Sequence, residues 1–263
     1  MIAKILTLTL IAGLSAQLCG DDSHKYVPEE GSPELEHSIS TSVESQGKMR
    51  ETPSCCLPKV LVLGDSISMG YTAPLKKLLE GQAEITHNPG NSQGTTHTLA
   101  LIDEWLSMGD WDVIHFNLGL HDLKRVKVAG TGANSDNPND PYQADLDTYA
   151  KNMELLVEKL EQTNARLIFA TTTPFPAGVS PYRDPDDVEK YNSVALAIMK
   201  RHGIEIDDLY TRILPKLDTL QKPENVHFTP EGSYFLATQV AKSIADALPQ
   251  KKRCKQSREA MHP

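Results

Sequence analysis

The sequence has no apolar run long enough to span a bilayer: the longest, Ile5 to Leu14, covers about ten residues where a spanning helix needs about twenty. Aromatic residues are only 6% of the chain. There is no basic stripe to track a phosphate backbone, so no nucleic-acid partner is expected. Four cysteines, Cys19, Cys55, Cys56 and Cys254, make no metal-ligand spacing. The pair His115 and His121 has no Asp, Glu or Cys cluster to complete a ligand set, so no metal is expected. No internal repeat is present either, which excludes solenoids and propellers.

What is there divides into four stretches. Residues 1–20 place Lys4 before the apolar run and small residues, Ser15 and Ala16, after it, the pattern of a secretory leader. A lipid anchor on Cys19 is not expected, because Gln17 and Leu18 stand where such a signal needs small residues. Residues 21–52 are Ser, Glu and Pro without periodicity, too polar to offset their ordering entropy, and read as an acidic flexible linker. Residues 53–250 hold the periodic segments of one domain, and 251–263 form a basic tail. The net charge of −9 is unevenly spread. Stretch 21–50 holds seven acids against three bases and the tail five bases against one acid, which leaves residues 51–249 near −10.

Within the domain, Lys59 to Leu63 (KVLVL) is a branched apolar run ending at Gly64, suited to a buried parallel strand. Asp112 to Leu118 and Arg166 to Thr171 repeat the signature, with weaker versions at Ala83 to Thr86 and Ile204 to Ile206. Helical periods lie between and after them, at Ala73 to Glu80, Thr95 to Met108, Tyr142 to Glu161, Asp186 to Arg201 and Glu231 to Leu248. Alternation of this kind predicts an α/β fold, a three-layer sandwich on a mostly parallel sheet. Ligands then bind beyond the carboxyl ends of the strands.

Chemistry-bearing residues fall at those ends. Ser66 follows the first strand in Gly64-Asp65-Ser66-Ile67-Ser68, on a turn that can expose a hydroxyl beside free N–H groups. His227 lies before the last helix in Glu224-Asn225-Val226-His227-Phe228-Thr229-Pro230-Glu231-Gly232. A carboxylate three residues earlier, Glu224, can fix its tautomer and leave the other ring nitrogen to take the serine proton. Alone, each residue reads as readily as a cap serine or a hydrogen-bonded histidine.

Together with two middle blocks, these segments resemble the SGNH/GDSL hydrolases over about Lys59 to Leu248. The middle blocks are Asn88-Pro89-Gly90-Asn91-Ser92-Gln93-Gly94-Thr95 and Gly119-Leu120-His121-Asp122. The resemblance implies a flavodoxin-like sandwich and an esterase with Ser66, His227 and Glu224 as catalytic residues. It also implies an oxyanion hole from the N–H of Ser66, the N–H of Gly94 (alternatively Gly90) and a third-block side chain. The family's usual asparagine is replaced here by His121, with Asn117 as rival donor. Such chemistry needs no cofactor.

Gly90-Asn91-Ser92-Gln93-Gly94 also fits the Gly-x-Ser-x-Gly elbow of another hydrolase fold, but Pro89 and the short polar approach argue against Ser92. The threonines Thr171, Thr172 and Thr173 are candidate cleft residues. The Gly- and Asn-rich stretch from Arg125 to Pro141 is a candidate rim or a mobile insertion. The expected partner is a small-molecule or polysaccharide ester, first of all an O-acetylated carbohydrate, acted on outside the cytoplasm. A lysophospholipase or thioesterase of the same fold, or a glycan-binding module with weakened catalysis, are the other readings. Oligomeric state is left open.

An exported chain meets an oxidising compartment, where Cys254 is placed to bridge to Cys55 or Cys56. A chain trimmed to residues 52–258 is expected to keep the ester-hydrolysing activity of the full chain. Reduction should lower its melting temperature; an unchanged melt together with three free thiols removes the disulfide.

Overall fold

The computed structural model describes residues 57–249. The leader, the acidic linker, the four cysteines and the basic tail lie outside the described residues.

Five strands form one sheet in the order β2-β1-β3-β4-β5, and every pairing is parallel. They are β1 (Lys59–Leu63), β2 (Glu84–His87), β3 (Val113–Phe116), β4 (Arg166–Ala170) and β5 (Glu205–Asp207). The central strands are buried on both sides, Val60 to Leu63 and Val113 to Phe116 throughout, which is why they read as continuous apolar runs rather than alternations. Helices α1 (Ser66–Leu78) and α7 (Pro230–Ala247) pack together, while α2 (Thr95–Leu106), α3 (Leu146–Glu161) and α4 (Asp187–His202) pack in sequence. With right-handed crossovers on this strand order, the two groups cover opposite faces, giving the expected three layers.

Boundaries differ from the sequence reading where caps decide them. The first helix begins at Ser66, seven residues before the periodic stretch at Ala73, because the Asp65 carboxylate accepts from the Ile67 N–H at 2.9 Å and opens the helix there. Gly70 and Pro74 hide that first half from a propensity reading. The third helix starts late, at Leu146, since Asp145 caps it through the Thr148 N–H. Two short helices, α5 (Leu209–Ile213) and α6 (Leu217–Leu220), were not expected; a one- or two-turn helix has too few residues to show a period.

The stretch from Arg125 to Pro141 is stitched to its surroundings. The Arg125 N–H donates to the Tyr182 carbonyl and the Tyr182 N–H to the Ser135 carbonyl, both at 2.9 Å. Lys124 Nζ crosses to Asn134 Oδ1 at 2.8 Å. These bonds dock the β3–α3 connection on the β4–α4 connection at the carboxyl end of the sheet.

The two ends of the domain meet where α7 begins. Pro230 occupies the first helical turn, where its missing N–H costs nothing, and Thr229 caps the turn through the Gly232 N–H. Gly232 has no room for a side chain, as a Cβ there would overlap the Leu220 carbonyl oxygen and lie 3.0 Å from Phe228 Cβ. Gly232→Ala is therefore expected to destabilise the domain by about 1–3 kcal/mol, several degrees in a thermal melt. An unchanged melting temperature would show that α7 is not seated this tightly.

Candidate active site

Ser66 and His227 are 161 residues apart in sequence and joined by a hydrogen bond: Ser66 Oγ donates to His227 Nε2 at 2.8 Å. Ser66 is the first residue of α1, so its backbone N–H is one of the donors that a helix start leaves without an intrahelical acceptor. The turn that places it is tight. A Cβ on Gly64 would stand 2.7 Å from Ser68 Oγ, and the Gly64 N–H is held by Asn88 Oδ1 at 2.8 Å.

The partner of the imidazole is not the one expected. Asn225 Oδ1 accepts from His227 Nδ1 at 2.7 Å and from the His227 backbone N–H at 2.9 Å. Glu224 is exposed, at φ 49°, and makes no hydrogen bond to His227 among the described residues. The left-handed turn at Glu224 carries its carboxylate away and lets the next residue fold back onto the ring. The assignment of the third triad position to Glu224 is corrected accordingly: the group holding Nδ1 is a neutral amide. An amide oxygen can only accept, so the ring proton sits on Nδ1 and Nε2 is left basic, which suits the Ser66 hydroxyl. Burial, with the charges of Lys222 and Arg183, holds the His227 pKa below the ordinary histidine value of 6.5.

The second and third blocks lie beside this pair. Ser92 N–H donates to the Gly64 carbonyl at 3.1 Å, tying the second block to the nucleophile turn. Gly94, the N-cap of α2, is buried, and its N–H has no acceptor among the described residues. Asp122 anchors it by accepting from Thr95 N–H at 2.9 Å and from Thr95 Oγ1 at 2.6 Å. Burial raises the Asp122 carboxyl to about 7 against these bonds. Gly90, the alternative, is an exposed turn residue at φ 66°. Asn117, the rival to His121, is committed elsewhere: its Nδ2 donates to the carbonyls of Ala170 at 2.8 Å and Thr171 at 3.1 Å, bracing β3 against β4.

His121 is held neutral, its pKa pushed down to about 3 by burial and by the charges of Lys124 and Arg183, with His227 and His97 adding to the effect. Its Nδ1 is buried without a partner, and Nε2 has none among the described residues. A proton on Nδ1 would bury an unpaired donor, so the favoured tautomer carries it on Nε2.

Other expected residues serve the fold. Ser92 is fully buried, and its neighbour His97 bonds the Ser92 carbonyl rather than the hydroxyl, which rules out an elbow nucleophile there. Thr171 Oγ1 donates to Asp208 and Thr172 Oγ1 to the Leu118 carbonyl. His115 is buried against Asp207 at 3.0 Å. Two residues near the site were missed in the sequence, Asn225 and Arg183. Asn225 was readable as an Asx turn two residues before His227; nothing in the sequence marks Arg183.

Residues 62–234 match the profile of the GDSL-like Lipase/Acylhydrolase family, and the chain belongs to that family, the SGNH hydrolases. It is a carboxylic ester hydrolase by that membership. The fold is shared with a lipase/acylhydrolase from Enterococcus faecalis (17% identity, TM-score 0.61, covering 75% of this chain and 100% of that one). Two acetylxylan esterases are also similar. One covers 71% of this chain and 99% of its own at 17% identity and TM-score 0.58. The other, a catalytic mutant of Axe2 from Geobacillus stearothermophilus, covers 71% and 94% at 18% identity and TM-score 0.57. No curated protein matches the chain in sequence. Among the described residues, no helix is long and apolar enough to cross a membrane.

The amide partner makes the His227 titration diagnostic. In histidine-selective NMR its ring should titrate below 6.5, and Asn225→Asp should raise that value by roughly a unit or more, since a carboxylate stabilises the imidazolium. Glu224→Gln should leave it in place. A shift with Glu224→Gln and none with Asn225→Asp would return the orienting role to Glu224.

Proposed function

We propose that this protein is an exported esterase that removes O-acetyl groups from carbohydrate through an acyl-enzyme on Ser66. The observation that carries the mechanism is the 2.8 Å hydrogen bond from Ser66 Oγ to His227 Nε2. As Oγ attacks the ester carbonyl carbon, its proton passes to Nε2, while Asn225 Oδ1 keeps the ring oriented through Nδ1–H. The imidazolium then protonates the leaving alcohol. Water, deprotonated by the same ring, releases the acid in the second half-reaction.

The tetrahedral oxyanion is assigned three donors. Two are backbone, the Ser66 N–H at the start of α1 and the Gly94 N–H at the cap of α2, both lent positive character by the helix ends. The third is Nε2–H of His121. Because burial keeps this ring neutral, it can donate without a countercharge, and it does the work of the family's asparagine.

The small acyl group and sugar are supported by the polar residues gathered at the site, His97, His121, Gln143 and Arg183, where a groove for a long acyl chain would need apolar lining. The acetylxylan esterases among the structural neighbours are in keeping with that choice. Export rests on the leader pattern of residues 1–20 and the linker that follows.

On acetylated xylan and a short nitrophenyl ester, Ser66→Ala should lose several orders of magnitude in kcat while Ser92→Ala keeps most of it. A loss below about tenfold in Ser66→Ala would overturn the mechanism. His121→Ala should lower kcat by roughly a hundredfold with little change in KM, and His121→Asn should recover part of the loss. Comparable hydrolysis of lysolipids or thioesters would move the substrate assignment to those classes.

A further inference from the structure

The β4–α4 connection contributes one residue that the mechanism above does not use. Arg183 is only 5% exposed, and its guanidinium forms no ion pair within contact distance of a carboxylate among the described residues. Its Nε donates to the Leu120 carbonyl at 2.9 Å and its Nη1 to the Pro181 carbonyl at 3.1 Å. Nη2 has no protein acceptor among the described residues. Burying a guanidinium is costly in desolvation, so a position that bonds it to two backbone carbonyls and no carboxylate is set by something other than stability.

The surroundings say what. Leu120 immediately precedes His121, so the Nε bond fixes the peptide that carries the third oxyanion donor. Asp65, whose charge is coupled to Arg183, immediately precedes Ser66; its Oδ1 caps α1 and its Oδ2 is buried without a hydrogen bond. The same cation acts on the rings of His121 and His227. One side chain thus bonds the donor turn directly and adds its charge to the nucleophile turn and the base from a fourth segment of the chain.

We propose that Arg183 is a positioning residue for ester hydrolysis: it pins the Leu120–His121 turn by a hydrogen bond and keeps a buried positive charge beside that turn. The proposal rests on the Ser66–His227 mechanism. The charge has a definite sign of action, since a cation beside an imidazole disfavours its protonation and a cation near the reacting carbon favours the oxyanion. Other groups facing these rings come from every neighbouring segment. They are Lys222 on the His227 loop, Lys124 on the His121 turn and His97 on α2, and the two rings act on each other; the carboxylates of Asp122 and Asp65 lie on the flanking turns, held by Thr95 and Ile67. Among the described residues, Arg183 is the cation that acts on both rings.

The test separates charge from bracing in the full chain. Arg183→Gln removes the charge, so the His227 titration and the acid limb of kcat/KM should both move to higher pH by roughly half a unit or more, a threefold loss on that limb. Arg183→Lys keeps the charge but cannot hold both carbonyls. Its His227 titration should stay near that of the parent while kcat falls about tenfold or more with KM little changed. Folded Arg183→Gln with an unmoved His227 titration overturns the proposal. Arg183→Lys tests it separately if the glutamine variant does not fold: a displaced His227 titration in that charge-conserving variant, or undiminished kcat, overturns it too. The ring titrations need no substrate, so this result stands apart from failure of Ser66→Ala to abolish turnover, which would sink the mechanism instead.

Discussion

Everything at the site depends on one contact made over 161 residues, the hydrogen bond between Ser66 Oγ and His227 Nε2. It spans a few ångströms but requires that the first and last helices of the domain lie side by side. The α1–α7 packing supplies this, with Gly232 allowing α7 to start hard against the Leu220 carbonyl. The sheet meets the same demand from below. Its order puts β1 between β2 and β3, so the loops after all three open at one end and can converge on the turn at Ser66.

Convergence of polar loops in a dry place has to be balanced, and the balance is visible in the carboxylates. Asp65, raised to about 6 by burial, caps α1 and answers the Arg183 charge. Asp122, raised to about 7 by burial, holds the start of α2 through Thr95. Neither touches the His227 ring among the described residues. The acids at this site hold the starts of α1 and α2, and the histidine bonded to Ser66 is oriented by an amide.

Much of this was legible in the sequence, for reasons that also mark the limits. Buried parallel strands announce themselves as apolar runs, so KVLVL and its counterparts located the sheet, and strand ends then located Ser66 and His227. The nucleophile helix was read seven residues short, because Gly70 and Pro74 carry poor helix propensity while the deciding Asp65 cap is a single tertiary-independent bond. Spacing pointed to Glu224; a left-handed turn at that residue, which spacing does not encode, delivered Asn225 instead. Asn117 remained a rival to His121 on the same stretch because the sequence does not show that its amide is bonded to the carbonyls at the end of β4. Arg183 was invisible, since its role comes from a loop docked by backbone bonds between segments far apart in sequence.

The placement of the base on the loop before α7 also imposes an order in time. In chain order the turns at Ser66 and Gly94 come well before His227, and the sheet can assemble from β1 through β5 by crossovers between consecutive segments. Until α7 docks, the Ser66 hydroxyl lacks its hydrogen bond to His227 Nε2. The pairing of Ser66 with His227 is therefore among the last features of the domain to form, completed only when the last helix of the described residues docks.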